Sequence, residues 1–396
     1  MRVSARLVAV LLLVSPLARG DPLQTEFLLL PSAQAAGTFN NHAPATEVED
    51  GVLQADMLLS MQKGQFKFFA EYLLSNHEGD LERFQLGWQL STDTVIWIGR
   101  YHQPSSVWNH EHHHGQFLQT SITRPDIEEW EDMGGVLPQH FTGMLIESSK
   151  PAFGTWRLRT AIAGGIAPQI TSGGLEPYDL VHPDSDRHTM GYQARVSLHP
   201  GEFTESGVGI LVASDTLAEV DAPSPAQVGL NHVDLRLLGA FAAYVADNWR
   251  LQGTVYHVDA RLHYASSIIN DNFGVGYIQA ERRFAHDLTG FVRWEDSIAA
   301  GDSEYLKLFE EFARIRYVGG VRWDFLDRQA LTLQLGNSHT LDGKFDDIRL
   351  QWSAAFSSHA TRSPHARLAP RPSWPRCGRA ALRGAGRARR QRRYRS

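Results

Sequence analysis

Between Trp108 and Pro125 the chain reads WNHEHHHGQFLQTSITRP, which sets four histidines and a glutamate in succession from His110 to His114. Neutral imidazoles beside a carboxylate suit zinc, copper or nickel. In an extended segment His110, His112 and His114 point one way and Glu111 and His113 the other. Three nitrogens then meet on one ion only if the segment curls. No cysteine stands nearby, and HEHHH is not the HExxH pattern, whose histidines are one helical turn apart. A metal set of His110, His112 and His114 is therefore weighed against a solvated or lumen-lining polar loop.

The elements that must carry this stretch have a period of two. Phe66, Phe68, Ala70, Tyr72 and Leu74 share one face, with Lys67 and Glu71 on the other. Trp156, Leu158 and Ile162 oppose Arg157, Arg159, Ala161 and Ala163, and Tyr192, Ala194, Val196 and Leu198 oppose Gln193, Arg195 and Ser197. Such runs are strands with one apolar and one polar face. A two-sheet sandwich would alternate in the same way, so the connections decide. Strands are expected near 25–30, 51–61, 64–74, 81–91, 93–101, 139–149, 154–164, 188–199, 205–217, 231–246, 248–262, 268–284, 286–297, 312–325, 329–338 and 346–356, about sixteen in all. Short turns near Gln62, Thr92, Lys150, Pro200, Asp247, Ala285 and Leu326 alternate with longer segments, the longest being 102–138. The fold class that follows is all-β: a transmembrane antiparallel β-barrel with a long loop folded into its lumen. Trp88, Trp97, Trp156, Trp249, Trp294, Trp323 and Trp352 fit aromatic girdles at the two interfaces.

The ends differ from this body. Arg2 and Arg6 precede the apolar run Leu7–Val14, and Ala18-Arg19-Gly20 supplies small residues, so 1–20 reads as a cleaved secretory signal. The single cysteine, Cys377, leaves no intramolecular disulfide to rely on. Residues 357–396 hold 12 arginines and no acid; outside them and the signal, 23 basic residues face 44 acids, an acidic body with a basic tail. Ile348, Leu350, Trp352, Ala354 and Phe356 share one face, and the run ends on an aromatic. That ending resembles the terminal strand of Gram-negative outer-membrane proteins, which implies a barrel over 21–356 and recognition of Phe356 by the barrel-assembly machinery. The Arg-, Pro- and Ala-rich remainder, 357–396, has no apolar period and is expected to be disordered. A lipid- or nucleic-acid-binding tail is weighed against a fortuitous, non-native extension, and the abrupt change of composition favours the latter.

Around the histidines the chain resembles a family of proteobacterial outer-membrane, porin-like proteins with a GRxHxP…WN…HHG…LQTSIxRP loop and an acidic Gly-Gly segment. The matching residues are Gly99, Arg100, His102, Pro104, Trp108, Asn109, His113, His114, Gly115, Leu118, Gln119, Thr120, Ser121, Ile122, Arg124, Pro125, Glu131, Asp132, Gly134, Gly135, Pro138 and His140. The family's Pro-Leu-Gly-Tyr before Trp-Asn is here Pro104-Ser-Ser-Val107. The resemblance implies an outer-membrane barrel and brings no established substrate.

A charge facing lipid near the midplane costs roughly 2–4 kcal/mol, so polar-face residues are expected to border the lumen. By alternation these are Arg157, Arg159, Arg195, Arg236, Arg250, Arg261, Arg314, Arg316, Arg322 and Arg349, with Glu71, Asp234, Asp259 and Asp324. Arg100 and Arg124 flank the long loop, and Asp126, Glu128, Glu129, Glu131 and Asp132 give it the opposite sign. Acids facing arginines across a constriction would orient dipolar solutes; mutual neutralisation would instead hold the loop as a plug. The expected function is a passive outer-membrane channel for small hydrophilic or charged solutes, not an enzyme and without a cofactor. Its expected partners are outer-membrane lipid, lipopolysaccharide and the assembly machinery, with no nucleic acid, and a homotrimer by analogy. The alternatives are a non-conducting metal-binding or adhesion barrel and a barrel hydrolase using Ser121, although no acid-His-Ser order or nucleophile elbow supports the last.

Overall fold

The computed structural model describes residues 22–361 apart from 41–45, 49–50, 77–78, 172–173, 181–187, 203, 220–227, 285–286, 310 and 341–342. The expected signal, and residues 362–396 of the expected tail, lie outside the described residues.

Sixteen wall strands form a closed antiparallel barrel. They are β1 (Gln24–Asn40), β2 (Val52–Lys63), β3 (Phe66–Ser75), β4 (Gly79–Ser91), β5 (Thr94–His102), β6 (His140–Pro151), β7 (Arg157–Ile166), β8 (Met190–His199), β9 (Gly207–Glu219), β10 (Leu230–Val245), β11 (Trp249–Tyr264), β12 (Ile268–Arg283), β13 (Leu288–Ile298), β14 (Ile315–Leu326), β15 (Gln329–His339) and β16 (Lys344–Ala354). Each pairs with its sequence neighbours, and β1 closes the ring by pairing with both β2 and β16. Short hairpins join the strands at one end, as at Lys63–Phe66, where Gly64 takes a φ of 58° that a side chain would resist. No helix of the described residues is long and apolar enough to cross a membrane.

The last strand does not stop at Phe356. After a break at Ala355, residues Phe356–Thr361 continue the pairing, from Leu29↔Phe356 to Gln24↔Thr361. Five residues expected in the tail therefore belong to the wall, because β1 begins early enough to offer them a partner.

Leu86, Ile98, Ile162, Val255, Val292 and Leu335 point outward and are exposed, and Trp88, Trp249, Trp294 and Trp323 stand with them. An apolar exterior of that extent has no place in water and matches a hydrocarbon band. Trp97 departs from the expected girdle: it faces inward and its Nε1 donates to Glu147 Oε2 at 3.0 Å.

Strands β10, β11 and β12 have 16 residues each, more than the roughly 9–11 that cross a bilayer. At their loop ends the faces exchange character. Val233, Leu235, Val258, Ala260, Leu262 and Phe273 point inward into a buried apolar cluster with Ile127, Val136, Tyr305, Leu308 and Phe309, while Arg236, Asp259 and Arg261 are exposed on the outer face. Asp234, on the same outer face, binds His263 Nε2 at 3.1 Å. These four were expected to line the lumen. Alternation was correctly periodic, but beyond the membrane the outer face meets water and the inner face meets protein.

Candidate functional site

The connection from β5 to β6, residues 103–139, lies inside the barrel. Its short helix α1 (Val107–His112) and the 3₁₀ turns Asp126–Glu128 and Glu131–Met133 bury Trp108, Asn109, Ile122, Ile127, Glu128, Trp130 and Glu131 to 2% exposure or less. Two glycines permit this path. Gly99 has φ 132°, and a Cβ there would lie 1.9 Å from the Phe84 carbonyl oxygen; a Cβ on Gly115 would lie 2.1 Å from Leu30 Cδ1.

Inward groups of many strands grip the loop. From β8, Gln193 Oε1 accepts from Ser105 N at 3.2 Å; from β11, Tyr256 donates to Ser105 O at 3.1 Å and to Glu128. Glu281 of β12 accepts from Thr120 Oγ1 at 2.7 Å, and Gln334 of β15 accepts from Ile122 N at 2.9 Å. The densest anchor is Arg293 of β13. Its guanidinium donates to Thr123 O and Arg124 O at 2.8 Å, Thr123 Oγ1 at 2.9 Å and Ser121 Oγ at 3.1 Å, while Glu295 and Gln279 hold it from the wall at 2.8 and 3.2 Å. Neither Arg293 nor Glu295 was singled out from the sequence. Their alternation with the outward Val292 and Trp294 is the signal that would have marked them.

The expected arginines separate into groups. Arg316 reaches Asp126 Oδ1 at 3.3 Å, and Arg322 donates to Gln119 O at 2.5 Å while pairing with Asp324 at 3.0 Å; both touch the loop. Arg250 meets His112 Nε2 at 3.3 Å and Glu205 at 3.4 Å, and Arg349 pairs with Asp347 at 3.0 Å. Arg100 pairs with Asp80 at 3.2 Å. Arg314 precedes β14 and donates to Gly301 O at 3.4 Å, so it holds another loop and not the constriction. Arg236 faces outward, as above. Arg157, Arg159 and Arg195, with Lys67, Glu111, Glu147 and His110, line a polar cavity of about 330 Å³ at the short-turn end of the lumen.

The loop acids do not form a row facing arginines across a gap. Asp126 meets the wall through Arg316, but Glu129 pairs with Arg124 of the same loop at 3.5 Å, Glu131 with His140 at 2.8 Å, and Glu128 accepts from Ser106 and Tyr256. The side chain of Asp132 lies outside the described residues. Burial pushes Asp126 and Glu128 up to about 7, against the pull of Arg316 on the first and the two hydroxyl donors on the second. Burial likewise holds His112 and His114 well below the usual imidazole value.

The motif residues are structural at this level. Trp108 Nε1 donates to Gln119 Oε1 at 3.0 Å, and Asn109 Nδ2 bridges Glu128 O and Gln139 Oε1 at 2.8 Å each. Ser121 Oγ donates to Thr123 O at 2.9 Å and contacts Arg293; no histidine is among these partners. The expected metal set does not assemble. His110 and His112 lie on α1, where a two-residue spacing turns side chains apart, and they face Glu147 at 4.0 Å and Arg250 at 3.3 Å. His113, at φ 52°, sits near His102 with ring centroids 5.6 Å apart. Only His114 of the three joins other buried imidazoles, those of His102 and His140.

No family model and no curated protein matches this chain. Solved structures do. An anion-selective porin from Comamonas acidovorans is 11% identical with a TM-score of 0.55, over 84% of this chain and 100% of its own. OmpF of Salmonella typhi, in complex with daunomycin, gives 11% identity and a TM-score of 0.53 over 85% and 98%. The outer membrane channel DcaP of Acinetobacter baumannii gives 10% and 0.53 over the same shares. At this identity the likeness is one of fold: the chain folds as outer-membrane porins do.

Proposed function

We propose that this barrel is a porin-like passive channel of the Gram-negative outer membrane whose passage is governed by the docked loop 103–139. The observation that carries the reading is the anchoring of that loop by inward groups of six strands, β8 and β11 to β15, each of which also presents apolar residues outward. A loop so held sets the bore of the lumen, and its release widens it. The arginine-bearing cavity at the turn end supplies a polar vestibule for small charged solutes, with Glu111 and Glu147 opposing the cations. The exterior apolar band and the fold of the porins named above support residence in the outer membrane, in contact with its lipid and lipopolysaccharide. Assembly through the final strand and a trimeric state belong to the same reading.

A second reading is favoured by one observation. Inward-facing wall residues, among them Gln279, Gln334, Gln351 and Ser353, are 2% exposed or less, which suits a barrel sealed by its loop. Planar-bilayer recording of the purified full-length protein separates the two. Discrete unitary currents support the channel. Their absence from a barrel that keeps its β circular dichroism and heat-modifiable migration, at any voltage and also with Arg293→Met, refutes it.

A further inference from the structure

One buried cluster goes unused by the docking scheme. His102 ends β5 and His140 opens β6, and the two are direct cross-strand partners; His114 comes from the loop and Glu82 from β4. All four are 4% exposed or less. His114 Nε2 and His140 Nε2 lie 3.2 and 3.3 Å from the same Glu82 Oε2, and one nitrogen from each of the three imidazoles falls within 4.8 Å of the others. Yet His114 Nε2, His140 Nε2 and both ring nitrogens of His102 have no hydrogen-bond partner. Buried polar atoms seldom go unpaired, and four in one pocket require a reason.

Metal geometry supplies it. Bonds of about 2.0–2.1 Å in a tetrahedron set donor atoms about 3.3 Å apart, the spacing found between Glu82 and the His114 and His140 nitrogens; the His102 nitrogen stands within 4.8 Å of those two and must draw in to complete the set. At that spacing the nitrogens are close to the carboxylate without being aligned to donate to it, as donors around a common centre are. We propose that His102, His114, His140 and Glu82 form a buried site for a divalent first-row transition ion, zinc by preference, which ties the loop to the wall. Three nitrogen donors disfavour calcium and magnesium, and the absence of a thiolate from the set disfavours copper(I).

The surroundings are built to orient these donors. Glu131 Oε2 lies 2.8 Å from His140 Nδ1, and Glu131 also accepts the backbone N–H groups of Gln139 and His140 at 2.5 and 2.7 Å, which leaves Nε2 facing the cluster. Trp130 stacks on His114 with centroids 3.8 Å apart and planes 6° from parallel, and on His140 at 5.0 Å. The His114 backbone N–H is fixed by Glu71 Oε1 at 3.3 Å. Arg100 Nη2 pairs with Asp80 at 3.2 Å and also reaches Glu82 Oε2 at 3.8 Å, so one guanidinium shares its charge between the two carboxylates.

The proposal does not rest on conduction. Its test uses the full chain prepared without a polyhistidine tag, stripped with chelator and titrated with zinc against a chromogenic competitor, and with cobalt(II). Wild type is expected to bind one zinc per chain and to give the intense visible absorption of four-coordinate cobalt. His114→Ala and Glu82→Gln should remove that site, Glu131→Gln should weaken it about ten- to a hundredfold, and His110→Ala/His112→Ala should leave it intact. Heat-modifiable migration reports which variants fold. The proposal is overturned if folded wild type binds no stoichiometric zinc, if its cobalt spectrum is that of six-coordinate ion, or if binding survives both His114→Ala and Glu82→Gln.

Discussion

Replacing Arg293 by Met tests the docking scheme most directly. The side chain is 2% exposed and donates four hydrogen bonds to the loop, at Ser121 Oγ, Thr123 O, Thr123 Oγ1 and Arg124 O. Met fills much of the volume and donates nothing. Two carbonyls lose a charged donor, and the Glu295 carboxylate loses its cation, keeping the Asp126 N–H at 2.6 Å. Glu295 lies on the same strand, so losing that pair weakens docked and released states alike. The four loop bonds, at about 1.5–3 kcal/mol each for a charged donor and not additive because they share one cation, together give about 3–5 kcal/mol of docking. At about 1.4 kcal/mol per decade the ratio of docked to released loop falls by roughly two to three and a half decades. Hydrogen exchange over 116–130 should accelerate by at least two of those decades, since Ile122 N and Asp126 N are held by wall groups only while the loop is docked. Unitary conductance or open probability should rise in parallel, and Arg293→Lys should fall between. A folded variant with wild-type exchange and wild-type currents would refute the claim that the wall holds the loop through this residue.

Other outcomes follow from the same geometry. Asp126 and Glu128 are pushed from ordinary values of 3.8 and 4.5 up to about 7 in the docked loop, so their share of docking is full below the ordinary values and is lost as pH rises through 7. His112 and His114, held below the imidazole value, give a share that is full above it and is lost as pH falls. Relative to wild type, Glu128→Gln should therefore lower currents more at pH 8 than at pH 5, by a docking difference on the order of 3 kcal/mol. Gly99→Ala should abolish the heat-modifiable barrel, because its Cβ would lie 1.9 Å from a backbone oxygen at a φ of 132°. Arg195→Glu, in the vestibule, should shift reversal potentials under a salt gradient toward cation preference, whereas Arg236→Glu, on the outer face above the membrane, should leave them unchanged.

Much of the wall was legible in the residues because alternation is a local property of a strand between lipid and lumen. Phe66 to Leu74 and Tyr192 to Leu198 could be assigned to faces without knowing what they touch. The error at Asp234, Arg236, Asp259 and Arg261 shows where that logic stops: period two says which residues share a face, and not where along the strand the surroundings change from hydrocarbon to water. Phe356 misled for a related reason, since the end of an apolar run is not the end of a hydrogen-bonded ladder.

The candidate site divides in the same way. The composition of 103–139 announced an unusual loop, rich in histidine, tryptophan and acid, and its length was enough to fill a lumen. Residue types and spacing thus determined a barrel of about sixteen strands with one long connection, which tertiary structure places inside the lumen. Only tertiary structure decided that His114 meets His102 and His140 instead of His110 and His112, that Glu128 lies against Tyr256, and that Arg293 is the principal anchor. Those pairs are joined by ring closure and by a chain folding back across the lumen, at separations up to 172 residues, where no periodic pattern in the sequence records which side chains will converge.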